Sequence, residues 1–176
     1  QRLDYGSWFQ AAAGRGRTGS SPGRYPQPLL TLEQALLFSR QRNIPVNIEI
    51  KDMSGTPLDG RVVPVVLDLV EALNCAQLVL VSAFRHAYLR QCARLAPAVS
   101  TALLQRGTPP DDALSRLRSL GVCACHTEDS ATRPDMVEML TGAGFHVNVY
   151  TVNDSQRREQ LYGFGVTAVF SDHVRP

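Results

Sequence analysis

Glu49 and Lys51 stand two residues apart in the run VNIEIKD, Val46 to Asp52. Side chains of an extended strand alternate between faces, so these two share a face with Asn47, while Val46, Ile48 and Ile50 line the other. An inward carboxylate stays ionised only beside a cation, a metal or hydrogen-bond donors. Two chemistries meet that requirement. One is a structural salt bridge between Glu49 and Lys51. The other is a site where Glu49 supplies a hard oxygen ligand to a divalent ion such as Mg or Ca, and Lys51 neutralises an anionic substrate oxygen. All but one of the 18 basic residues are arginine, and the exception is Lys51. A compact ammonium, rather than a planar fork, suits the second chemistry.

The elements that would position this pair alternate along the chain. Runs with strand character are VNIEIK, LVLVSAF, VSTALL, VCACH, HVNVYTVN and TAVFSD, each separated from the next by a helical or loop segment. The first helix starts at TLEQALLFSRQR, where Thr31 and Gln34 have capping-box spacing and Leu32, Ala35, Leu36 and Ser39 form the stripe. In RVVPVVLDLVEAL the expected stripe is Val62, Val65, Val66, Leu69, Val70 and Leu73, with Pro64 tolerable near the first turn. Asp111 and Asp112 follow two prolines and are expected to cap the helix DDALSRLRSLG, and a last helix is expected over Asp154 to Tyr162. Residues 1–30, rich in Gly, Arg, Ser and Pro, read as an insertion or linker loop, and 31–176 as one α/β domain.

Such alternation implies parallel strands joined by crossovers, hence an α/β barrel or a doubly wound sheet. No GxGxxG follows a strand and no Walker-type loop occurs, which favours a barrel of about six parallel strands. In a parallel barrel the C-terminal strand ends carry the site. Beyond Glu49 and Lys51, those ends offer Ser82 and Phe84, then His126, then Asn148 and Tyr150, then Ser171 and Asp172. His126 reads either as an acid or base or as a hydrogen-bonded wall residue, and Tyr150 as pocket wall. There is no GxSxG and no HExxH, and His86, His126, His146 and His173 lack zinc-like spacing.

The totals narrow the partners. At 176 residues, 44% hydrophobic, the chain suits one domain with a sizeable core. A net charge of +2 points to a small or locally anionic ligand rather than nucleic acid. Cys75, Cys92, Cys123 and Cys125 form no CxxC pair, and Cys75 and Cys92 fall in helical patterns as small hydrophobes. That usage leads us to expect a reducing, cytoplasmic location. No apolar run reaches the roughly 18 residues a membrane span requires.

Taken in order, VNIEIK, the SAF segment from Ser82, VYTVND at Val149 to Asp154 and the closing FSDHVRP resemble the glycerophosphodiester phosphodiesterases. LDYGSWF and LTLEQAL are similar to that family's linking insertion and the helix after it. The resemblance implies a TIM-type (β/α) barrel that uses a divalent metal, Mg or Ca, to hydrolyse glycerophosphodiesters such as glycerophosphocholine to glycerol 3-phosphate and an alcohol. It implies Glu49 as a metal ligand, Lys51 beside the phosphate, and Tyr150, Phe84 and His126 as substrate-binding wall residues.

The family's opening His-Arg-Gly strand, its strand with a Glu and an Asp ligand, and the following His-Asp have no counterpart here; LDYGSWF normally follows all three. The resemblance therefore implies the C-terminal portion of such an enzyme, an incomplete barrel. Its acid and base histidines and two of three metal carboxylates are missing, so we expect it to be nearly inactive alone. Open barrel edges would invite the missing segment or another copy. The alternative is a degenerate barrel that binds a phosphate compound or a protein without catalysis.

Overall fold

The computed structural model describes residues 29–173. The linker expected over residues 1–30 therefore lies almost wholly outside the described residues.

Six strands of the described residues form one parallel sheet in the order β1-β2-β3-β4-β5-β6. They are β1 Val46–Glu49, β2 Val79–Ala83, β3 Ser100–Gln105, β4 Ala124–Glu128, β5 His146–Tyr150 and β6 Ala168–Val169. Among the described residues six α-helices alternate with them: α1 Leu32–Arg42, α2 Val62–Ala72, α3 His86–Leu95, α4 Ala113–Leu120, α5 Pro134–Gly142 and α6 Ser155–Gly163. Each strand lies beside its sequence neighbours, so the order never reverses as it does in a doubly wound sheet. This is an incomplete TIM-type barrel, in which β1 and β6 each have one partner strand among the described residues.

The two faces of the sheet differ sharply. Val79, Val81 and Ala83 of β2, Leu103 of β3, Cys125 of β4 and Val147 and Val149 of β5 pack with Leu36, Val63, Val70, Leu89, Leu117, Val137, Leu140 and Leu161 from the helices. This is the hydrophobic core, and Val46, Ile48 and Ile50 join it. The register then places Glu49 beside Ser82, Ser82 beside Ala102, Leu104 beside His126 and His126 beside Asn148 on the opposite, concave face. Polar side chains on VNIEIKD are thus explained: helices bury only its aliphatic face.

Local signals mostly hold. Thr31 and Gln34 form a reciprocal capping box on α1, and Asp154 caps α6 through Arg157 N. In α2 the buried stripe is Val63, Val66, Leu67 and Val70, whereas Val65 is 58% exposed. The expected stripe was rotated because an almost uniformly apolar helix has little periodic contrast. Asp112 occupies the N-cap position of α4 without capping it; its carboxylate pairs with Arg116 at 2.7 Å, one turn on. Cys75 lies outside any α-helix, in the turn before a short 3₁₀ segment at Ala76–Leu78, and Cys92 lies within α3. Strand β4 begins and ends two residues later than VCACH, which brings Glu128 to its C-terminal end. No helix of the described residues is long and apolar enough to cross a membrane.

Candidate active site at the C-terminal rim

The strand ends meet because the sheet curls. Strands β2 and β5 are separated by two others, which in a flat sheet would place them roughly 14 Å apart. Yet the rings of Phe84, just past β2, and Tyr150, ending β5, meet edge to face with centroids 6.3 Å apart. The Tyr150 hydroxyl donates to the Gln105 carbonyl at 2.8 Å, fastening β5 to the end of β3. The Gly107 N–H donates to Glu128 Oε2 at 3.1 Å, fastening the next turn to β4.

Glu49 lies on the concave side at the end of β1. Its carboxylate accepts from Lys51 Nζ at 2.6 Å, with the two side chains 30% and 75% exposed respectively. The ion pair weighed from sequence is therefore present. It is solvent-facing, and such pairs contribute only about 0–1 kcal/mol to stability.

The loop after Lys51 is pinned from below. The Tyr88 hydroxyl donates to Asp59 Oδ1 at 2.6 Å and accepts from the Met53 N–H at 3.1 Å. Arg85 pairs with Asp59 and, at 3.3 Å, with Asp52. Backbone and side-chain hydrogen bonds with Ser54, then Arg85, hold the Asp52 carboxyl below its ordinary pKa. Removing one hydroxyl, Tyr88→Phe, leaves the Met53 N–H without its acceptor and takes from the half-buried Asp59 carboxylate one of its two donors, the other being Arg85. We expect it to cost about 1–3 kcal/mol by urea unfolding. A loss below a few tenths would show that the loop is not held this way.

Below the rim lies a polar layer. Asn148 Nδ2 donates to His126 Nε2 at 3.0 Å, and Phe170 covers the imidazole at 5.0 Å between centroids. His126 is 0% exposed, and burial pushes its pKa down to about 4, so the ring is neutral near pH 7. Asn47 Oδ1, Ser82 Oγ, His126 Nδ1 and Asn148 Oδ1 are buried without a hydrogen-bond partner among the described residues, and all four belong to the concave face. Burial, then the Glu128 charge, raises the Tyr150 hydroxyl to about 12, which makes it a neutral donor and wall residue.

Glu49, Lys51, Phe84 and Tyr150 thus share the rim, while His126 sits one layer down. Arg106 and Glu128, also at the rim, escaped the sequence reading because β3 and β4 run further than VSTALL and VCACH. Counting on by two from His126 would have reached Glu128. Among the described residues no three His, Cys, Asp or Glu side chains are grouped to hold a metal. Glu49 is one carboxylate already neutralised by Lys51, and a hard divalent cation takes six or more oxygens. The described residues alone do not fit such an ion.

Comparison with known proteins agrees with this geometry. The model of the glycerophosphoryl diester phosphodiesterase family matches residues 1–175. A Bacillus subtilis protein, "Uncharacterized protein YqiK", is 28% identical over 143 residues, which is 80% of this chain and 58% of that protein. A phosphodiesterase of Oleispira antarctica, solved with the product sn-glycerol-3-phosphate, superposes with a TM-score of 0.74 at 25% identity, covering 80% of this chain and 56% of that one. A glycerophosphodiester phosphodiesterase of Parabacteroides distasonis has a similar fold, with a TM-score of 0.71 at 24% identity, covering 84% of this chain and 61% of that one. The chain spans little more than half the length of these relatives. With a matching incomplete barrel and a family match across nearly its whole length, the chain belongs to the glycerophosphoryl diester phosphodiesterase family.

Proposed function

We propose that this protein takes part in hydrolysing glycerophosphodiesters to glycerol 3-phosphate and an alcohol, as a phosphoric diester hydrolase of lipid and glycerol metabolism. The observation that carries this is the Glu49–Lys51 pair at the C-terminal rim of a barrel whose family match spans residues 1–175. In the reaction, water adds to phosphorus, the bond from phosphorus to the alcohol oxygen breaks, and that oxygen takes up a proton. Lys51 offsets the phosphate's negative charge, and Phe84 and Tyr150 wall the pocket, with His126 beneath them. We include Glu49 as one ligand of a Mg or Ca ion, the remaining ligands lying outside residues 29–173.

An apolar surface supports the proposed partners. The edge of β1 adjoins an open apolar groove of about 820 Å³ lined by Leu30, Ala35, Phe38, Ile44 and Val46, among others. Leu30, Phe38 and Ile44 are exposed. Such an edge supports association with a complementary barrel segment or another copy. A reducing, cytoplasmic location also belongs to the proposal, supported by Cys75, Cys92, Cys123 and Cys125 being free thiols.

The test is release of choline from glycerophosphocholine with Mg or Ca. We expect background rates from this chain alone and turnover once it is combined with a segment carrying the family's histidines and remaining carboxylates. Full turnover by the chain alone would refute the division of roles. The lack of a three-ligand metal group among the described residues favours a second reading, a non-catalytic module that binds a phosphate compound or a protein. That reading predicts ligand binding with no turnover in either preparation.

A further inference from the structure

Lys51, Arg85 and Arg106 all follow strand ends at the rim, but they differ in what neutralises them. Lys51 is held by Glu49, and Arg85 by Asp59 and Asp52. Arg106 makes no ion pair among the described residues. Of these three, it is the cation that no carboxylate pairs with among the described residues.

Its position is nonetheless fixed. The residues on either side are fastened to neighbouring strand ends, Gln105 by the Tyr150 hydroxyl and Gly107 by Glu128. The guanidinium carbon lies 4.7 Å from the centre of the Phe84 ring, and Phe84 in turn abuts Tyr150. A guanidinium over an aromatic face is held by its charge and spends none of its N–H donors on a carboxylate. A planar fork so held matches two oxygens of one phosphate, which a lysine cannot do.

We infer that Arg106 is an anion-binding residue of this site, taking phosphate oxygens of the ligand through paired N–H donors, alongside Lys51 two strands away. The inference deepens the proposed function and rests on it for the identity of the phosphate compound. Arg106 acts in recognition rather than in bond breaking.

The experiment is calorimetric titration of this chain with sn-glycerol 3-phosphate and, separately, with inorganic phosphate, at low and moderate salt. Arg106→Met keeps an unbranched stem against Phe84 but removes the charge. We expect it to weaken both ligands about 10-fold or more and to flatten the salt dependence. Arg106→Lys should recover part of the affinity, and thermal midpoints should barely move. Unchanged binding of both ligands by Arg106→Met overturns the inference while leaving the proposed function intact. Arg106-dependent binding of inorganic phosphate without binding of glycerol 3-phosphate upholds the inference and refutes the proposed substrate. If the unaltered chain binds neither, the inference fails.

Discussion

Replacing Glu49 with glutamine is expected to lower glycerophosphocholine turnover by the complemented protein about 100-fold or more while leaving its thermal midpoint almost unchanged. The two halves of this expectation have different physical sources. Glu49 and Lys51 form a solvent-facing pair at 2.6 Å, and such pairs add about 0–1 kcal/mol to the fold. The charge itself faces the concave site, where a carboxylate is worth far more to a bound cation than to the folded chain. A purely structural salt bridge predicts the reverse, a small stability loss and no specific loss of activity. The exchanged variant, Glu49→Lys with Lys51→Glu, separates the two. It can re-form the pair with the charges in each other's places, so a structural bridge predicts normal activity and the site reading predicts none. Retained activity in the exchanged protein would remove Glu49 from the metal proposal.

A second large effect is expected from pH. His126 is fully buried with its pKa pushed down to about 4, against 6.5 when exposed. The folded chain therefore keeps the ring neutral while the unfolded chain takes up a proton below pH 6.5. Stability is fully present above pH 6.5, falls as pH drops towards 4, and levels off below that. Integrated over the window, the loss is roughly 3 kcal/mol. His86 is shifted in the same direction by burial and then by Arg90 and Arg116, so it adds to the trend. The lowered carboxyls of Asp52, Asp112 and Asp135 lose their contributions below their ordinary pKa of 3.8, beneath this window. Urea unfolding at pH 7.0 and 4.5, run on the unaltered chain, His126→Gln and His86→Gln, checks this. His126→Gln should abolish most of the pH dependence and His86→Gln little of it. Equal slopes for the unaltered chain and His126→Gln would show that the imidazole is not held neutral.

Much of the architecture was legible in the chain. Period-two alternation in VNIEIKD and the apolar runs of LVLVSAF and HVNVYTVN marked strands, and the capping box at Thr31 and Gln34 marked the first helix start. Where hydrophobic contrast is poor, local pattern does not fix the buried face. In the almost uniformly apolar α2 the spacing predicts Val65 in the buried stripe, yet it is exposed. The ends of β3 and β4 were placed short, which hid Arg106 and Glu128. The sequence predicts Asp112 as a cap, but it pairs with Arg116, since a carboxylate can serve either partner and only the backbone geometry decides.

By itself, then, the sequence determined which side chains share a face. Glu49 had to lie with Asn47 and Lys51 because alternation is a local property of an extended backbone. Only the tertiary structure decided which faces meet. The curl of the sheet brings Phe84 to Tyr150 and sets Arg106 over Phe84, and it buries His126 beneath Phe170. Those contacts join residues far apart in the chain through the packing of helices on one side of the sheet. No local pattern of residue types encodes the distance between two strand ends.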